Sequence, residues 1–120
     1  MEAFSERRSK ERYKYTYKVY YPRVDNEVVM CKNDKPVIEV INICEYGVCL
    51  LSDRIEFAEG NFVSFDLKLG EAPSFNCNVF IKWILKREKL FLAGGEFIMM
   101  DLDQMKILRE FLMEYKHHKE

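Results

Sequence analysis

Several routes to a function are closed by what the chain lacks. Its four cysteines, Cys31, Cys44, Cys49 and Cys77, form no CxxC pair, so the spacing of a structural zinc site is missing. It has no phosphate-cradling glycine loop, no HExxH and no nucleophile elbow. That removes the common phosphoryl-transfer, metalloprotease and hydrolase signatures. No apolar run reaches the length of a transmembrane helix, and the residues up to Arg8 lack the apolar stretch of a secretory signal. A basic excess is missing too: the formal charge is −1, so no global field favours duplex nucleic acid. Repeats, linkers and low-complexity segments are absent. The expectation is a cytoplasmic protein that is not an enzyme, with no metal centre, no membrane insertion and no DNA partner. In a reducing compartment the cysteines default to small, semi-buried hydrophobes.

What is present fits one domain of 120 residues. A hydrophobic content of 48% and an aromatic content of 14% supply a core, and a chain of this size buries roughly two thirds of its unfolded surface. Charge is unevenly placed. Residues 1–20 hold six cations, among them Arg7, Arg8 and Arg12, against three glutamates, a local excess of +3. A basic arm on a neutral body suits a small anionic ligand better than a long polyanion. Residues 1–12 have no clean period and read as an N-terminal arm, mobile when nothing is bound.

From Tyr13 to Tyr21 aromatic and β-branched residues alternate with lysine and threonine, a strand signal. Strands are expected over 27–32, 37–43, 47–51, 62–69, 77–85 and 90–100. Phe62, Ser64, Asp66 and Lys68 face one way, and Val63, Phe65, Leu67 and Leu69 the other. The pair Gly94 and Gly95 marks a bulge or a close backbone approach. The period then changes. Asp101 with Gln104 forms a capping-box pattern, and Leu102, Met105, Leu108, Leu112 and Tyr115 share a helical face, predicting a helix over about 101–117. Many short strands and one terminal helix read as a small antiparallel barrel, residues 13–120. His117 and His118 lie on a polar C-terminal tail unsuited to holding a catalytic base.

Two patches carry chemistry. Arg8 and Arg12 stand four residues apart on the arm. A guanidinium is a planar fork of five donors that matches phosphate oxygens and the O6/N7 edge of guanine, and its face stacks on a purine. The second patch, Asn42 to Gly47, lies between two apolar runs. Asn42 offers a donor and an acceptor to a purine edge, and Gly47 permits a backbone conformation closed to other residues. Either patch alone fits a solvated terminus or an ordinary hairpin turn. The tyrosine and lysine ladder after Arg12 also fits an RNA-binding barrel, against which the neutral net charge weighs.

Taken in order, the two patches resemble the RxxxR and (D/N)xSxxG motifs of the PilZ family, bacterial receptors for cyclic di-GMP. Trp83 and the stretch Gly94 to Phe97, followed by a helix, extend the resemblance over nearly the whole chain. It implies a six-stranded antiparallel split barrel with a C-terminal α-helix. It also implies that Arg8 and Arg12 grip phosphates and guanine with Arg7 auxiliary, that Asn42 addresses a guanine edge and that Gly47 makes the turn; Trp83 resembles a strand Trp that in some relatives lies against the ligand, and it fits a barrel-wall aromatic equally well. Cys44 departs from the motif serine. If that hydroxyl bonds guanine, the change costs about 0.5–1.5 kcal/mol, near tenfold in affinity. The implied protein is a stand-alone, monomeric or weakly dimeric receptor of cyclic di-GMP. It needs no other cofactor and signals through an unidentified effector protein. The alternative is an adaptor of the same fold that does not bind the nucleotide and acts in motility or pilus control.

Overall fold

The computed structural model describes residues 13–119. Its strands are β1 (Tyr13–Val19), β2 (Arg23–Val24), β3 (Glu27–Val28), β4 (Ile38–Ile43), β5 (Gly47–Ser52), β6 (Phe62–Leu67), β7 (Phe75–Arg87) and β8 (Leu90–Ile98), followed by helix α1 (Leu102–Lys119). They form one antiparallel sheet in the order β1-β4-β5-β8-β7-β6-β2-β3, curled so that Tyr15 at one edge donates its hydroxyl to the Lys68 carbonyl beyond β6, at 2.6 Å. The sheet has eight strands where six were expected. The two extra strands are the two-residue ladder β2–β3. It is closed by Asp25 and Asn26 at φ 50° and 70°, the paired positive values of a type I′ turn. The strand expected over 27–32 shrinks to Glu27–Val28. Asn33 and Asp34 make a second such turn at φ 55° and 59°, bracketed by the Lys32–Lys35 bridge.

Period-two alternation fills the core. Val63, Phe65 and Leu67 of β6 point inward with Val79 and Ile81 of β7, Val48 and Leu50 of β5, and Ile38, Val40 and Ile43 of β4. Of three register shifts in the sheet, one lies between Lys14 and Tyr17 on β1, and the other two set which way later residues face. On β4, Val40 pairs with Leu50 but Asn42 pairs with Cys49, so Ile41 is an extra residue. On β7, Ile81 pairs with Gly95 but Trp83 pairs with Gly94, so Lys82 is extra. An extra residue flips the phase of everything after it. Without these bulges Asn42 and Trp83 would point into the core.

Helix α1 closes one end of the curl. Asp101 Oδ1 accepts the Gln104 N–H at 2.8 Å, and Gln104 Oε1 accepts the Asp101 N–H at 3.2 Å, both arms of a capping box. Its inward face departs from the expected one. Leu102 is 82% exposed, whereas Leu108 and Leu112 are buried with Ile107 and Phe111 against them. The stripe that meets the core begins about one turn later, at Ile107 and Leu108. Phe111 packs edge-on to Tyr15, with ring centroids 5.0 Å apart, and the Tyr115 hydroxyl donates to the Lys14 carbonyl.

Both glycine expectations gain a physical reason here. A Cβ on Gly94 would lie 1.9 Å from Trp83 Nε1, and one on Gly95 would lie 2.3 Å from Val79 Cγ1, so β8 passes directly beneath side chains of β7. The bulge sits opposite, on β7. Gly47 is not in the left-handed region expected of it, since the positive-φ glycines are Gly60 and Gly70. It is glycine because a Cβ would lie 1.9 Å from the Gly95 carbonyl oxygen. That obstacle is backbone, which no rotamer relieves. We therefore expect Gly47→Ala to splay β5 from β8 and cost roughly 3 kcal/mol in denaturant unfolding; an unchanged midpoint would contradict the close approach.

Burial pushes the Cys77 thiol up from 9.0 to about 12. Because the folded value is the raised one, this contribution is intact below pH 9 and is lost as pH rises towards 12. Urea midpoints measured from pH 8 to 11 should fall, and the fall should be shallower in Cys77→Val.

Candidate functional site

The turn between β4 and β5 is closed by the Cys44 N–H donating to the Gly47 carbonyl at 2.9 Å. Cys44 is buried, and its Sγ accepts the Tyr46 N–H at 3.4 Å. This is the local bond that a serine hydroxyl makes in the same kind of turn. The side chain at 44 thus has a structural partner in the backbone two residues on. Neighbouring elements hold the rest of the turn. Phe97 of β8 donates its N–H to the Tyr46 carbonyl at 2.8 Å, and Arg109 of α1 lies 3.4 Å from Glu45.

From the turn the strand register lays out one row across the outer face of the sheet. Lys14 on β1 is opposite Asn42 on β4, which is opposite Cys49 on β5, then Gly94 on β8, then Trp83 on β7. Cross-strand partners share a face, so the two bulges place Asn42 and Trp83 on the same surface. Three strand spacings separate them, roughly 14 Å. The indole lies over Gly94, where no side chain opposes it. One step nearer the turn runs a second outer row: Gly47, Glu96, Phe80 and Phe62. Lys82, the bulged residue between Phe80 and Trp83, sits 3.6 Å from Glu96 and 5.4 Å from the Phe80 ring centroid.

Of the residues expected to form a site, Asn42, Gly47 and Trp83 lie on these rows and Cys44 lies within the turn. Arg7, Arg8 and Arg12 lie outside the described residues. Tyr13, the first described residue, is opposite Ile43, so β1 begins beside the turn. The same surface also carries Lys14, Phe62, Phe80 and Lys82, which the sequence reading did not single out. One signal was available, because Phe62 is the lone apolar residue among Ser64, Asp66 and Lys68 on the polar side of its strand. An amide, an ammonium and flat aromatic faces provide hydrogen bonding, charge attraction and stacking, which is recognition chemistry. Among the described residues no group of His, Cys, Asp and Glu is arranged to hold a metal ion, and no helix is long and apolar enough to cross a membrane.

Two solved structures share the fold. One is the Bacillus subtilis inhibitor of motility, MotI/DgrA, with a TM-score of 0.70 at 13% identity over 95% of this chain and 53% of that one. The other is MrkH of K. pneumonia in its apo state, with a TM-score of 0.61 at 13% identity over 93% of this chain and 51% of that one. The chain thus spans about half the length of each. No curated protein sequence matches it. The PilZ domain family matches residues 6–114. That span takes in both motif patches, the bulged strands and most of the closing helix, so the chain belongs to the PilZ domain family.

Proposed function

We propose that the chain is a receptor for cyclic di-GMP that changes shape on binding and signals through a partner protein. The observation that carries this reading is the pairing of Tyr13 with Ile43. It puts the start of β1 beside the turn that holds Asn42 and Gly47, and the arginine patch, about thirty residues before that turn, directly precedes β1 in sequence. Arg8 and Arg12, with Arg7 beside them, supply forks for the phosphates and a guanine edge. Asn42 supplies an amide to guanine, and Trp83 supplies an aromatic face. Gly47 contributes no contact of its own; it lets β8 approach and so fixes the turn. The family of binding and adaptor domains, together with recognition chemistry at the site, supports a receptor over an enzyme.

Ordering the arm around the ligand opposes binding and at the same time supplies the signal. The partner then reads the position of the arm. Motility control is the output we favour, because a protein named for inhibiting motility shares the fold. The rival reading, a partner-binding adaptor without nucleotide, draws on Cys44, whose sulfur is occupied by the turn backbone.

Calorimetric titration with cyclic di-GMP, with GTP and Arg8→Ala as controls, separates the two. Saturable binding that disappears in Arg8→Ala is expected. No heat up to about 100 μM ligand would leave the adaptor reading, since that concentration corresponds to only about −5.5 kcal/mol. Trp83 is the sole tryptophan, so its emission should change on saturation in the same concentration range.

The Cys44→Ser variant tests the motif departure. A hydroxyl accepts from the Tyr46 N–H more strongly than a thiol sulfur does, and it restores a stronger donor for guanine. Affinity should tighten by up to about tenfold; weaker binding in the variant would sink this account of position 44.

A further inference from the structure

The outer row that starts at Gly47 ends in two phenylalanines that nothing above requires. Phe62 is 50% exposed on a face it otherwise shares with Ser64 and Asp66. Its ring and that of Phe80 stand 5.2 Å apart between centroids, tilted by 56°. A half-exposed aromatic on a polar face adds little to the core behind it, which Val63, Phe65 and Val79 already fill.

The shelf is also held in place. The Phe62 N–H donates to Asp25 Oδ1 at 2.9 Å, and the Phe62 carbonyl accepts the Asp25 N–H at 2.8 Å. Asp25 Oδ2 accepts from the Asn61 side-chain amide at 2.8 Å. One aspartate therefore clamps the backbone on both sides of the ring. Lys82 packs over Phe80 and is drawn to Glu96, the residue that joins this shelf to Gly47 in the same row. Phe80 stands two strands from the turn, roughly 10 Å.

We propose that Phe62 and Phe80 form a stacking shelf for the second guanine of the dinucleotide, an inference that rests on the receptor reading above. The ligand carries two bases, and the single amide of Asn42 serves one edge. The other base needs a face, and this row offers one, continuous with the turn and backed by rigid backbone. Stacking on a phenyl ring reads the flat face of a purine and makes no demand on its hydrogen-bonding edge. Recognition of guanine is thereby assigned to the turn and the arginines, while the shelf contributes affinity.

The experiment is titration of wild type, Phe62→Ala, Phe62→Thr and Phe62→Trp with cyclic di-GMP, with thermal unfolding of each as a check of the fold. Loss of the ring should weaken binding roughly five- to 150-fold in both Phe62→Ala and Phe62→Thr, and threonine keeps a strand-compatible residue should alanine unfold the edge. Phe62→Trp should bind at least as tightly as wild type. Binding by wild type with folded Phe62→Ala or Phe62→Thr within twofold of it overturns the shelf alone. Absence of binding by wild type overturns the shelf and the receptor reading together.

Discussion

The two bulges are the constraint on which the rest of the molecule depends. A strictly alternating β4 that buries Ile38 and Val40 would also bury Asn42 and expose Ile43. An amide in that core would need partners that a cluster of valine, leucine and isoleucine does not hold, at a cost of about 1–3 kcal/mol. The extra residue Ile41 removes the conflict: Ile43 is fully buried and Asn42 faces out beside Cys49. Lys82 does the same for β7, turning Trp83 outward after Cys77, Val79 and Ile81 have pointed in. Two insertions of one residue each thus convert the back of an ordinary packed sheet into a surface with an amide, a lysine and an indole in one row.

The glycines of β8 and β5 complete that surface. An indole lies flat on a strand only where the strand offers no side chain beneath it, and Gly94 meets that condition. Gly47 allows β5 to begin against the Gly95 carbonyl, which draws the turn towards β8 and lets Phe97 bond the Tyr46 carbonyl. The turn is therefore shaped by its neighbours as much as by its own sequence. This explains how a cysteine stands at position 44: its size matches serine, its sulfur still meets the Tyr46 N–H, and the closing bonds are made by backbone.

Much of this was legible in the sequence, for identifiable reasons. The long strands showed because one face of each is buried and the other wet, which writes a period of two into residues such as Phe62 to Leu67. The helix cap showed because Asp101 and Gln104 act within one turn of each other. Phase was less legible. A bulge leaves no residue signature of its own at Ile41 or Lys82, so the facing of Asn42 and Trp83 rests on pairing between distant strands. The reason for Gly47 was hidden likewise, because a close approach is a property of two strands and a positive φ is a property of one residue. On α1 the hydrophobic pattern included Leu102, but where that stripe begins to touch the core depends on how the helix packs on the sheet, which periodicity alone does not carry.

Helix α1 and the turn meet through Glu45 and Arg109, yet that pair does not hold the helix. Both side chains are substantially exposed, and an exposed pair contributes about 0–1 kcal/mol. Leu108 and Leu112 bury their side chains in the main core, each a contribution of about 1.5–3 kcal/mol. Tyr15 and Phe111 add an edge-on contact. The helix position is therefore set from inside, by the residues that close the curl, and the ion pair only aligns the turn with a body already fixed. The same holds on the outer face. Asn42, Trp83 and Phe62 each stand on backbone whose other side is packed, so the outer surface is fixed by the core beneath it.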